Sequence, residues 1–138
     1  MDLLDPSALP ERFASVAELD DFLTLPSRAL VDDLAAIDGD IAILGVGGKM
    51  GPTLARLAKR AAPSKRVVGV ARFSDPAVRR QLEENGVETI TCDLLDRAAL
   101  EALPRLPNVV FAAGHKFGAS GNPALTWAMN THVPALVA

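Results

Sequence analysis

Residues 40–61 read DIAILGVGGKMGPTLARLAKRA, an apolar run, then four glycines within seven positions, then a segment of strong helix formers. The spacing Gly45-x-x-Gly48-x-x-Gly51, with Gly47 inside it, follows the strand-like Ile41–Leu44 and opens a helix. Glycine suits such a place because the backbone must turn sharply and admit a pyrophosphate to hydrogen-bond distance, where a Cβ would intrude. The helix N-terminus then offers unpaired N–H groups and a partial positive charge. The same spacing also occurs in tight β-α turns that hold nothing, so the flanking pattern must decide between the two.

That pattern is strand–helix alternation. Met50–Ala62 sets Met50, Leu54, Leu57, Ala58 and Ala61 on one helical stripe, completing a first β-α unit. Pro63-Ser64 break the helix, RVVGVA (66–71) is a β-rich run, Ser74-Asp75-Pro76 open a second helix and Asn85-Gly86 close it. VETIT (87–91) and Asp96–Leu103 form a third unit. NVVFAAG (108–114) is a fourth strand, followed by a Gly/Ser/Asn loop and a helix that puts Leu125, Met129 and Val133 on one face. Four strands alternating with helices predict an α/β fold whose parallel sheet is covered on both faces. Right-handed crossovers make it doubly wound and Rossmann-type, in strand order 3-2-1-4. Upstream, Ser15 and Glu18 form a capping box ahead of VAELDDFLTL, and SRALVDDLAAI aligns Leu30, Val31, Leu34 and Ile37. The expected organisation is an N-terminal helical extension, residues 1–39, with two short helices, and a nucleotide-binding domain, residues 40–138.

Composition narrows the partners. A formal charge of −3 with no basic block leaves no electrostatic footprint for nucleic acid or an anionic membrane. Cys92 is the only cysteine, which excludes an intrachain disulfide and a multi-cysteine metal site, and no metal site is expected. A reducing, cytoplasmic setting is the expectation, since the N-terminus carries no basic-then-apolar export signal and no run of about 18 apolar residues occurs.

The segments LGVGGKMG, VGVARFSD, TCDLLD, VVFAAG and NPALTWAMNTHVPALVA stand in the order and spacing of the extended short-chain dehydrogenase/reductases, and the sequence resembles that NAD-dependent epimerase/dehydratase family over residues 40–138. The resemblance implies that Gly45, Gly48 and Gly51, with backbone from Lys49 and Met50, hold a dinucleotide pyrophosphate. It implies that the residue ending the second strand reads the adenosine ribose. An acid there accepts from a free 2′-hydroxyl, whereas the guanidinium of Arg72 can hold a 2′-phosphate through two bonds. NADP is therefore favoured over NAD, with Ser74 as a second donor and Lys49 adding local charge. A solvated arginine is the plainer alternative, and Asp75 keeps NAD open. Asp93-Leu94 match the family's acid-plus-apolar pair at adenine, or else Asp93 is a helix N-terminal acid. Ala112, Ala113 and Gly114 match the small-residue end of the fourth strand, where cofactor passes close to backbone.

Asn130 matches the family's helix asparagine, and Pro134, lacking an N–H, leaves the Asn130 carbonyl without its helical partner. The resemblance implies a supporting role for that carbonyl, through a water beside a catalytic lysine; a proline simply bending a surface helix is the alternative. His115 could line a pocket, His132 reads as an exposed helix residue and Trp127 as core. No catalytic residue can be identified, because the family's Tyr-x-x-x-Lys pair is missing from a chain with no tyrosine. Leu44 in place of threonine, Lys49 in place of an aromatic residue, and AAGHKFG after the fourth strand are lesser departures. The apolar ending PALVA is expected of a truncated enzyme, inactive alone, with an exposed apolar surface that favours self-association. A small-molecule substrate would belong to the full-length protein. Two other classes stay open: a nonenzymatic NADP-sensing module, and an S-adenosylmethionine-dependent methyltransferase, which would carry an acid where Arg72 stands.

Overall fold

The computed structural model describes residues 2–115 and 119–138; the Lys116–Gly118 part of the loop after the fourth strand, and Met1, lie outside the described residues. Two helices, α1 (Val16–Leu23) and α2 (Arg28–Ala36), precede β1 (Ile41–Leu44), α3 (Gly51–Ala61), β2 (Val67–Ala71), α4 (Pro76–Glu84), β3 (Glu88–Thr91), α5 (Arg97–Glu101) and β4 (Asn108–Phe111). Beyond the loop come α6 (Pro123–Trp127), a π-helical turn (Ala128–His132) and α7 (Val133–Val137). The sheet is parallel in the order β3-β2-β1-β4, as the alternation predicts.

Period-two alternation sorts the strand side chains into two cores. Ile41, Ile43 and Val67 face α3 and α4 with Val46, Ala55 and Leu82. Leu44, Val68 and Val70 face the other way, with Cys92, Leu94 and Val133. β3 is an edge whose residues carry ion-pairing chemistry, with Arg66 bridging Glu88. β4 is the other edge, and Val109 and Val110 there remain 49% and 39% exposed.

The structure differs from the expected patterning in two helices. The buried face of α3 is Gly51, Ala55, Ala58 and Ala61, whereas Met50 is 76% exposed and Leu54 only packs against the cluster edge. Small residues let this helix sit close to the sheet, so the large apolar residues are displaced to the flank. In the last helical segment Met129, Val133 and Val137 reach the second core but Leu125 does not, because the π turn resets the helical phase between them. Trp127, expected in the core, is 70% exposed on α6, because two residues from both Leu125 and Met129 it stands on the opposite side of the helix.

The N-terminal helices lie on α3. Ser15 Oγ accepts from the Glu18 N–H at 3.1 Å, and the Glu18 carboxylate returns to the Ala14 N–H. Arg56 pairs with Asp21, and Arg60 donates to the Asp21 carbonyl and to Thr24 Oγ1, which is buried. Lys65 holds the carbonyls of Ile37 and Gly39. Among the described residues, no helix is long and apolar enough to cross a membrane.

Candidate functional site

The chain leaves β1 at Gly45 with φ at +87°, a region open to glycine but strained for other residues. The N–H groups of Gly45 and Val46 both donate to the Val70 carbonyl, at 2.8 and 3.1 Å, and the Gly48 N–H donates to the Gly45 carbonyl at 3.1 Å. A Cβ added to Gly45 would lie 2.5 Å from the Ala113 backbone nitrogen, so this glycine lets the ends of β1 and β4 close up. Added to Gly51, it would lie 2.1 Å from the Val46 carbonyl oxygen, so that glycine seats the start of α3 against the loop. Gly48 is different: the nearest atom to its Cβ position is the Gly45 carbonyl oxygen, at 3.4 Å, an ordinary contact. One glycine makes the turn, one leaves open space and one allows close packing. Met50 at the α3 N-cap makes no side-chain capping bond, so the first-turn N–H groups are not claimed by a side chain.

This loop forms one wall of a cleft of about 370 Å³ across the carboxyl ends of all four strands, at the point where the strand order reverses. Gly45, Gly47 and Gly48 line it from β1; Arg72, Ser74 and Asp75 from the end of β2; Asp93 and Leu94 from β3; Ala112, Ala113 and Gly114 from β4. The expected residues therefore converge, with three exceptions. Lys49 is not among the residues lining this cleft; it lines a separate cavity of about 210 Å³ with Asp20 and Arg56. Met50, expected to contribute its backbone, has an exposed side chain and is not among the cleft-lining residues, and Gly51 is buried under the loop. Ala71, Phe73, Val78, Cys92 and Met129 also line the cleft and were not foreseen as site residues. Cys92 was findable, since it immediately precedes Asp93 at a strand end.

The polar side chains of the cleft are partly committed. Asp75 caps α4, its Oδ1 accepting from the Ala77 N–H at 2.9 Å, while Arg72 and Ser74 are exposed. Asp93 Oδ1 accepts from the Leu95 N–H at 3.0 Å, but it does not cap a helix; Asp96 caps α5 by accepting from the Ala99 N–H at 3.2 Å. Cys92 is buried, and burial followed by the Asp93 and Asp96 carboxylates pushes its thiol pKa upward, so it stays a neutral wall residue at neutral pH.

Asn130 acts here through its side chain. Its Oδ1 accepts from the His115 N–H at 2.8 Å and its Nδ2 donates to the His115 carbonyl at 3.1 Å, an amide clamp on the backbone just after Gly114. The π turn carries this residue, with the Val133 N–H reaching back to the Ala128 carbonyl, five residues away. His115 is half-buried and is not among the cleft-lining residues; its Nε2 is buried with no partner among the described residues. His132 is exposed, as expected. Asn130→Ala should lower stability by about 1–2 kcal/mol, two modest hydrogen bonds, and speed amide exchange at His115. Unchanged exchange, measured by hydrogen–deuterium mass spectrometry, would show that the clamp is not formed.

Among the described residues, no three His, Cys, Asp or Glu side chains are gathered as a metal site would need. No curated protein matches the chain. Among solved structures, an O-methyltransferase family protein from Burkholderia thailandensis is similar at 17% identity with a TM-score of 0.37, over 62% of this chain and 28% of that one, a likeness too slight to bear on chemistry. A family model matches residues 41–138, which take in the whole sheet and every helix from α3 onward, under the description NAD dependent epimerase/dehydratase family. With the glycine loop, the strand order and the cleft all in place, the chain belongs to the NAD-dependent epimerase/dehydratase family, whose members bind an NAD(P) dinucleotide.

Proposed function

We propose that this chain is the NADP-binding part of an epimerase, dehydratase or reductase acting on a sugar nucleotide, in the cytoplasm, with residues 1–39 as an added brace and residues 40–138 as the cofactor domain. The observation that carries the cofactor choice is Arg72, exposed at the end of β2 and lining the cleft with Ser74 beside it. A guanidinium there matches the geometry and charge of a 2′-phosphate. The pyrophosphate would lie over Gly48 at the start of α3, where the open Cβ direction gives it room. Asp93 and Leu94 would border adenine, and Ala112–Gly114 would let the ribose pass close to backbone. The bound cofactor would supply the hydride chemistry; the residues of this chain orient it and shield its phosphates.

The substrate would be met by parts of the protein outside this chain, which has no tyrosine to exchange the proton that accompanies hydride transfer. That same lack supports a second reading, an NADP-sensing module that works through a protein partner. A copy of the chain itself could be that partner, through the β4 edge, where Val109 and Val110 are exposed. The methyltransferase reading loses ground, since an arginine stands where its acid would be. Calorimetry should show tighter binding of NADP(H) than of NAD(H). Arg72→Ala should weaken NADP(H) by more than about tenfold, the loss of one charge-assisted contact, and leave NAD(H) nearly unchanged. Equal wild-type affinities for the two dinucleotides would overturn the cofactor assignment.

A further inference from the structure

Phe73 is the one described non-glycine residue with positive φ, +50°. The left-handed region brings Cβ against the backbone carbonyl, and a bulky aromatic residue occupies it only when its surroundings hold it there. Here the surroundings are visible. The half-buried ring packs against the core cluster beneath α3 and α4, and the Arg79 guanidinium lies 6.0 Å from the ring centroid. Arg79 is itself held by Glu83 at 2.9 Å and by the Thr89 hydroxyl at 3.1 Å. The Thr89 hydroxyl and then Arg79 keep the Glu83 carboxyl below its ordinary pKa, so the acid stays charged. Phe73 is thus tied to α4 and, through Arg79, to the β3 edge; it lines the cleft together with its two neighbours, Arg72 and Ser74, which are exposed.

Only three residues, Arg72, Phe73 and Ser74, separate the end of β2 from the Asp75 cap of α4. In a connection this short, the backbone reversal at one residue sets the direction of both neighbours. A glycine would make the reversal without strain but would leave the loop free to move. Phenylalanine does the opposite: it accepts the strain and drives a ring into the core.

We propose that Phe73 is a specificity-determining positioning residue, an anchor that holds Arg72 and Ser74 where a 2′-phosphate is read, so that discrimination between the phosphorylated and unphosphorylated dinucleotides depends on a side chain that contributes no charge. The inference rests on the reading that Arg72 meets the 2′-phosphate. A residue with a merely structural role would weaken both dinucleotides together; an anchor for Arg72 weakens one.

The test is calorimetric titration of the full chain and its variants with NADP and with NAD, alongside circular dichroism. Phe73→Ala is expected to lower the ratio of NADP to NAD affinity by about tenfold, approaching the ratio of Arg72→Ala. The double variant should lose little beyond Arg72→Ala alone, because the anchor acts through the arginine. Phe73→Leu keeps an apolar anchor and so guards against a folding failure; it loses the flat ring under Arg79 and should lower the ratio by about threefold. A wild-type ratio in Phe73→Leu, or equal weakening of both dinucleotides in Phe73→Ala, overturns the proposal. If Arg72→Ala lowers the ratio and the Phe73 variants do not, the cofactor reading stands and the anchor falls. If Arg72→Ala itself leaves the ratio unchanged, both fall together.

Discussion

Gly51→Ala should destabilise the protein by about 3 kcal/mol and lower its melting temperature by about 10 °C. The added methyl carbon would lie 2.1 Å from the Val46 carbonyl oxygen and 2.5 Å from its carbonyl carbon, so backbone must move rather than a flexible side chain. Val46 cannot give way easily, because it is fully buried, its N–H is bonded to the Val70 carbonyl, and its side chain fills the space above Gly69. Alanine is the better helix former by about 1 kcal/mol in a helix interior, and less at the first helical position, so propensity offsets only a fraction of the collision. Thermal melts followed by circular dichroism decide it. A melting temperature within about 2 °C of the wild type, a shift worth well under 1 kcal/mol, would mean that α3 can withdraw from the loop without loss.

The sheet was legible because two independent signals agree along the first half of the nucleotide domain. Ile41–Leu44 and Val67–Ala71 are β-rich runs bounded by turn residues, and each is followed by a helix with recognisable start and stop residues. The cleft followed from it, since a parallel doubly wound sheet gathers the ends of its strands, and Arg72, Asp93 and Ala112–Gly114 all stand at strand ends. What was not legible lies where local rules are broken. Phe73 adopts a conformation that its residue type disfavours, so no propensity argument points to it. The π turn at Ala128–His132 adds a residue to one helical turn and carries Asn130, whose amide reaches His115. A period of 3.6 cannot anticipate that shift. Lys49 illustrates a third limit: its neighbours in sequence are the glycines of the cleft, but it lines a different cavity together with Asp20 of α1, an element with no counterpart in the residues that carry the family match.

Gly48→Val should abolish dinucleotide binding, by more than about a hundredfold, while the protein stays folded. Gly48 has no positive φ, and its Cβ direction meets only the Gly45 carbonyl oxygen at ordinary contact distance, so an L-residue fits the backbone without strain. The branched methyl groups would then occupy the cleft at the N-terminal end of α3. A pyrophosphate displaced from that place loses at least two charge-assisted bonds to backbone N–H groups, each worth about 1.5–3 kcal/mol, which exceeds the energy needed for a hundredfold change. Because both dinucleotides carry the same pyrophosphate, NADP and NAD should be lost together, in contrast to Arg72→Ala, which separates them. Calorimetry with each dinucleotide, beside a thermal melt, reads both halves of the claim. Retained binding within about fivefold, an energy near 1 kcal/mol, would show that the phosphates do not pass over Gly48. Loss of the folded spectrum would show instead that this glycine, like Gly51, serves the packing of the loop.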